Sequence, residues 1–235
     1  NLLIIDTAQY VQWFEETYGL SPDRFRLVPT GADDRAFHQV KAIEGKGNST
    51  FKILYYGTFI PNHGVEHIIE AARILHDQPS IQFKLAGDGP TKSDAVALVE
   101  KYDLENVTFL GWVNKEDLPR IVAEADICLG VFGTTPQSMM TVQNKIYEGL
   151  AMRKPIITSK SEAIQRTFRH KKHLYLCERA NPQSLASAVQ ALQNAPEERE
   201  RLAERGHRLF TERFNLQRNG ARFASHLTKL VKEQP

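Results

Sequence analysis

Residues 51–86, FKILYYGTFIPNHGVEHIIEAARILHDQPSIQFKLA, decide the fold. The stretch opens on FKILYY and closes on IQFKLA, two short runs rich in aromatic and aliphatic side chains that read as strands. Between them, residues 65–76 space their apolar side chains as an amphipathic helix does. Strand, helix and strand make a βαβ unit, with parallel strands and a right-handed crossover. The nearly continuous apolar run KILYY fits a strand buried on both faces.

The same alternation continues downstream. Residues 91–102 read as a helix, VTFL (107–110) as a strand, 115–123 as a short helix and DICLGVF (126–132) as a strand. A polar loop over 133–143 then feeds a helix from Asn144, and Lys154-Pro155 stops it before the strand PIIT (155–158). Residues 161–168 are expected to be helical, HLYLC (173–177) a strand and 182–194 a helix. The expected class is therefore α/β, a doubly wound, mostly parallel sheet of about six strands. Residues 197–213 and 216–232 follow as two long helices with no strand between them. Upstream lie a short strand at 2–5, a helix at 8–18 and a strand at 25–28. The polar, glycine-bearing stretch 33–50 reads as a linker.

Composition narrows the function classes. The 235 residues are 41% hydrophobic and 25% charged, and 30 basic against 28 acidic residues leave a net charge of +2. That is a folded, water-soluble composition, and nothing in it asks for nucleic acid as a partner. The one basic cluster is RTFRHKKH (166–173), which reads as a solvated loop, with contact to anionic lipid headgroups as the alternative. Cys128 and Cys177 each sit in an apolar run and are expected as reduced, buried thiols, in keeping with a cytoplasmic location. The sequence opens on NLLIIDTAQ in mid-pattern, without Met, as a piece of a longer protein does.

In an open parallel sheet, ligands bind beyond the carboxyl ends of the strands. After the first strand of the alternation comes GTFIPNHG (57–64), in which Gly57 and Gly64 bound a loop that opens onto a helix N-terminus, a setting that suits phosphate. His63 either faces that phosphate or is a surface histidine. Gly87-Asp88-Gly89-Pro90 is turn chemistry or a binding loop. Trp112 either stacks on a base or caps the core. In PQSMMTVQNKIYEGLAMRKPIIT (136–158), Lys145 and Glu148 lie three apart and are neighbours on one helix face. They are either an ordinary exposed pair or a cation for phosphate beside a carboxylate for sugar hydroxyls. The eight histidines are scattered without metal-ligand spacing, no GxSxG pattern is present, and GxGxxG does not follow the first strand.

The motifs YYGTFIPNHGVEHIIEAARIL, KLAGDGP, NVTFLGWV, LPRIVAEADICL and NKIYEGLAMRKPII, in this order, resemble the C-terminal half of a family 4 glycosyltransferase of the GT-B fold. The resemblance implies a Rossmann-like domain over 51–214 that holds a nucleotide-diphosphate sugar. Residues 1–50 would then be the end of an acceptor domain and a linker, and 215–235 a helix crossing back to that domain. It implies a retaining, metal-independent transfer with no cofactor, to a glycan or lipid-linked acceptor held by the protein's own N-terminal domain. It also implies envelope polysaccharide or glycolipid assembly in the cytoplasm, peripheral to the inner face of a membrane. By resemblance, Glu148 accepts from the nucleotide ribose, Lys145 and Asn144 open the helix at the diphosphate, and Gly57 lets the backbone approach phosphate. Gly87, Asp88 and Trp112 would flank the base. The catalytic pair expected is Lys145 and Glu148.

Three positions depart from the family pattern. Met140 stands where the first of two glutamates is expected, Thr58 where an arginine is, and His63 where a lysine precedes Gly64. A non-catalytic nucleotide-binding or scaffolding module is therefore the rival expectation, with a sugar-nucleotide epimerase of the same architecture as a third.

Overall fold

A computed structural model describes residues 2–39 and 50–232. Of the expected linker, positions 40–49 lie outside the described residues. The N-terminal unit is small. β1 (Leu3–Ile5) and α1 (Ala8–Tyr18) lead to a 3-10 turn at Pro22–Arg24 and β2 (Phe25–Leu27), which pairs parallel to β1.

The main sheet follows in strict alternation. β3 (Phe51–Tyr56), α2 (Val65–Ile74), β4 (Ile81–Ala86), α3 (Lys92–Lys101) and β5 (Val107–Gly111) build one wing. α4 (Leu118–Glu124) returns the chain to the centre at β6 (Ile127–Leu129), which is followed by α5 (Pro136–Met140), α6 (Asn144–Ala151) and β7 (Ile156–Ser159). α7 (Glu162–Thr167), β8 (Tyr175–Cys177) and α8 (Pro182–Gln193) complete the second wing, before α9 (Pro196–Arg213) and α10 (Leu216–Lys232). The six strands run in the order β5-β4-β3-β6-β7-β8, every pair parallel. Winding reverses between β3 and β6, so a crevice opens at their carboxyl ends.

β3 shows why the sheet is buried on both faces. Ile53 and Tyr55 join Ile68, Ile69 and Val189 in one core, while Leu54 and Tyr56 join Tyr147, Leu150 and Phe210 in the other. Period-two alternation thus feeds two cores from one apolar run. Both cysteines are free and buried.

Local chemistry moved several boundaries. The expected strand 126–132 ends at Leu129, because side chains of β7 then take over the backbone. The Thr158 hydroxyl accepts from the Val131 N–H at 3.2 Å, and Ser159 Oγ donates to the Val131 carbonyl at 2.6 Å. The helix expected from 115 begins at Leu118, after a turn in which the Asn114 carbonyl accepts from Asp117 and Leu118. Within the loop expected at 133–143, Pro136 starts α5, and the Thr135 hydroxyl caps it by accepting from Ser138 N.

Aromatic contacts fasten the tail to α6 and to the end of α7. Phe214 lies 5.0 Å from the Tyr147 ring and 6.0 Å from Phe168, centroid to centroid. The N-terminal unit is fastened by polar contacts instead. Thr7 Oγ1 donates to the Met140 carbonyl at 2.6 Å, Thr30 Oγ1 to the Val142 carbonyl at 3.3 Å, and Tyr10 shares a 2.9 Å hydrogen bond with the Thr141 hydroxyl. Among the described residues, no helix is long and apolar enough to cross a membrane. Phe214→Ala is expected to destabilise the chain by about 3–5 kcal/mol, since the truncation leaves a hole between three elements. Chemical denaturation checks this, and an unchanged midpoint would show that the cluster does not fasten the tail.

Candidate functional site

The crevice is built from strand ends laid side by side. Gly57 follows β3 and donates to the Ala86 carbonyl at 2.9 Å, while Gly87 follows β4 and donates to the Gly111 carbonyl at 2.7 Å. Gly57 and Gly87 have φ of 140° and 141°, a region that L side chains rarely adopt. A side-chain carbon on Gly87 would lie 1.9 Å from the Gly57 carbonyl oxygen, and one on Gly57 would lie 2.7 Å from Lys145 Nζ. The two glycines therefore let β3 and β4 meet, and they leave room for an ammonium group beside the backbone.

Two adjoining cavities of about 430 and 330 Å³ occupy the crevice, in the size range of small-molecule sites. Tyr56, Gly57, Thr58, Leu118 and Glu148 form walls common to both. The first cavity extends to His63, Asn144 and Lys145, and the second to Gly87, Trp112 and Lys115.

Lys145 stands in the first turn of α6 and is only 6% exposed. Its Nζ has no hydrogen-bond partner and lies 4.1 Å from the centroid of the Tyr55 ring, whose face attracts a cation. Burial pulls its pKa down to about 7, against the opposing charge of Glu148. A buried ammonium without a partner is costly, and an arriving anion would supply what is missing. Gln143, the N-cap of α6, makes no side-chain cap, so the helix end offers backbone N–H groups in the same place.

Glu148 lies one turn on. Burial raises its pKa, while the Tyr56 hydroxyl and the charges of Lys145 and Lys115 pull it back. His63 is partly buried. Its Nδ1–H donates to the Thr58 carbonyl at 2.6 Å, with the Tyr55 hydroxyl 2.8 Å away. Burial first, and Lys145 second, push its pKa down to about 4, so it is neutral at physiological pH.

The structure thus brings Gly57, Thr58, His63, Asn144, Lys145 and Glu148 to one cavity, and Gly87 and Trp112 to the next. Gly64 is the N-cap of α2 and lines neither cavity. Asp88 also lines neither, because Lys92 Nζ at 2.8 Å and the Gly89 N–H at 2.7 Å occupy its carboxylate. Trp112 is 69% exposed, so it caps no core. Met140 lies outside both cavities at the end of α5.

Sequence reasoning passed over Lys115, Tyr56, Asn62 and Gln137. Lys115 lies four residues past the end of β5, which Trp112 follows directly, and only its place near Glu148 distinguishes it. Asn62 and Gln137 hydrogen-bond across the crevice at 2.5 Å, a contact that nothing in their 75-residue separation announces. Among the described residues, no three His, Cys, Asp or Glu side chains gather as metal ligands would.

Lys145 carries a pH signature. Below pH 7 it is charged in both folded and unfolded states, so its burial penalty is fully present. Between pH 7 and about 10.5 the unfolded chain binds more protons, and the penalty fades as pH rises. Lys145→Met is therefore expected to be more stable than the parent at pH 6.5, with a gap that narrows by at most about 1.4 kcal/mol per pH unit above 7. Denaturant midpoints at two pH values test this, and a gap that widened would refute it. Gly87→Ala is expected to destabilise the chain by more than 1 kcal/mol, because the new methyl meets backbone.

The model of the family described as glycosyl transferases group 1 matches residues 37–209. An α-D-kanosaminyltransferase from Streptomyces kanamyceticus is 28% identical over 73% of this chain, which spans 44% of that protein's length. A sucrose-phosphate synthase from Thermosynechococcus elongatus superposes with a TM-score of 0.83 at 21% identity, over 97% of this chain and 58% of its own. Anabaena HepE in complex with UDP superposes with a TM-score of 0.83 at 17% identity, over 97% of this chain and 64% of its own. At such identities the two superpositions speak for the fold alone.

Proposed function

Because this chain belongs to the glycosyl transferases of group 1, we propose that its crevice is the donor site of a retaining, metal-independent transferase. The donor is a nucleotide-diphosphate sugar. Its diphosphate would lie against Lys145, the Gly57 backbone and the start of α6. Its ribose would lie at Glu148 and its base toward Trp112 and Gly87. The observation that carries this reading is the unpartnered Lys145 ammonium in a cavity it shares with Glu148. When the sugar–diphosphate bond breaks, charge builds on the leaving oxygens, and a pre-placed cation with aligned N–H groups stabilises that charge. The acceptor, a glycan or lipid-linked saccharide, would be held by the protein's own N-terminal domain at the cytoplasmic face of a membrane. Without that domain, this piece would bind donor yet transfer little or no sugar, because the acceptor is not positioned.

A second reading, nucleotide binding without catalysis, is favoured by Met140, Thr58 and His63. No acidic group stands at 140, and the imidazole beside Lys145 is held neutral. An epimerase of this architecture would need further charged groups reaching the reacting sugar.

Titration with UDP, GDP and ADP tests the donor site. UDP is the first candidate, since the Anabaena neighbour carries it. One diphosphate is expected to bind, and Lys145→Ala to weaken it roughly 10- to 100-fold, the worth of one charge-assisted hydrogen bond. Glu148→Ala should weaken it too. Binding draws a proton onto Lys145, so affinity is expected to be flat below pH 7 and to fall up to about tenfold per unit above it. If no diphosphate bound to the folded chain, the donor reading would fail.

A further inference from the structure

The cluster RTFRHKKH, left unused by the crevice, faces a second concentration of charge. On α9, Arg205, Arg208, Leu209 and Glu212 are spaced three, four and seven apart and share one helix face. That face and the 168–173 turn enclose a cavity of about 790 Å³ that shares no residue with the crevice. Arg166, Arg169, Lys172, Arg205, Arg208 and Arg213 line it, against Glu212 as the one lining carboxylate.

Pairing does not neutralise this charge. Arg166 reaches Glu162, but among the described residues the other five cations make no ion pair. The turn that presents them is tightly made. His173 N and Lys172 N both donate to the Arg169 carbonyl, at 3.0 and 3.2 Å, and Lys171 N donates to the Leu174 carbonyl at 2.9 Å. The Arg169 N–H in turn donates to His173 Nδ1 at 3.2 Å, so the imidazole serves as a neutral brace. Burial, and then Lys172, Arg169, Arg205 and Arg213, lower the pKa of His173, which shows how many cations converge on one point. Elsewhere α9 interleaves its charges, as in Arg201 with Glu198. Like charges within a Debye length of about 8 Å repel, and an anion placed among them relieves the repulsion.

We propose that this cavity seats the headgroup phosphates of an anionic membrane surface. Phosphate offers several acceptors for the guanidinium forks that line the concavity, and a cluster of four to eight cations on one face is what an anionic leaflet attracts. Lys171 lies just outside the cavity and extends the same positive surface. The proposal stands apart from the donor site, so either can fail alone.

Cosedimentation of this chain with vesicles of phosphatidylglycerol in phosphatidylcholine, and with vesicles of phosphatidylcholine alone, tests it at fixed salt. The chain is expected on the anionic vesicles only. Arg169→Gln with Arg208→Gln should cut binding by roughly 25-fold, at about fivefold per cation. Lys101→Gln with Arg120→Gln removes the same charge from α3 and α4 and should cut it less than about twofold. Equal losses in the two double variants would overturn the proposal, since net charge would then suffice. Equal binding to both vesicles would overturn it as well. If the chain ignores vesicles but binds inorganic pyrophosphate, and only the 169/208 variant loses that binding, the site serves a free phosphate and the membrane assignment falls. Nucleotide titration of the same variants reads the crevice separately and is expected not to change.

Discussion

A lysine deprived of water and of any hydrogen-bond acceptor sits where β3 ends and α6 begins, and the surrounding structure is arranged to hold it there. Its ammonium rests on the face of Tyr55, from the strand that starts the sheet, and fits beside Gly57 only because that residue has no side chain. Glu148, one turn along the helix, makes no ion pair with it, so the two charges influence each other without cancelling. Left charged, the lysine strains the apo protein; left neutral, it has little hold on an anion. A pKa of about 7 places it between these two states at physiological pH.

The loops around this group are braced from behind. Thr135 Oγ1 donates to Asn62 Oδ1 at 2.8 Å, and Arg179 donates to the Gly133 and Lys160 carbonyls at 2.5 and 2.8 Å. A partly buried guanidinium from beyond β8 thus fixes the loop that leads to α5. The consequence is a pocket whose polar walls come from segments far apart in sequence and whose backbone has few ways to relax. Such preorganisation suits a site that must stabilise charge as it develops.

Much of the fold was legible because its cause is local. Strands buried on both faces are rich in apolar residues, and an amphipathic helix carries one apolar stripe, so FKILYY, IQFKLA and residues 216–232 could be bounded to the residue. DICLGVF could not, since its last residues are taken by Thr158 and Ser159 hydroxyls on a neighbouring strand. The candidate site was partly legible. Lys145 and Glu148 announce themselves by helical spacing, and Gly57 and Gly87 by following strands. Asp88 shares that position but spends its carboxylate on Lys92 and Gly89, a choice that only side-chain geometry reveals. Lys115 and Asn62 carry no local signal, because what sets them apart is the residue opposite.

The three contacts from Thr7, Tyr10 and Thr30 all land on residues 140–142, directly before the first turn of α6. Two of them grip backbone carbonyls, so they act whatever side chains stand there. In mechanical terms this segment is a drawbar between the N-terminal unit and the helix that carries Lys145. Rotation of that unit would pull on the drawbar before it disturbed the sheet, and so change how far the ammonium projects beneath Gly57. The strength of the proposed anion seat would then follow the posture of the N-terminal unit, with no residue of the seat itself being replaced.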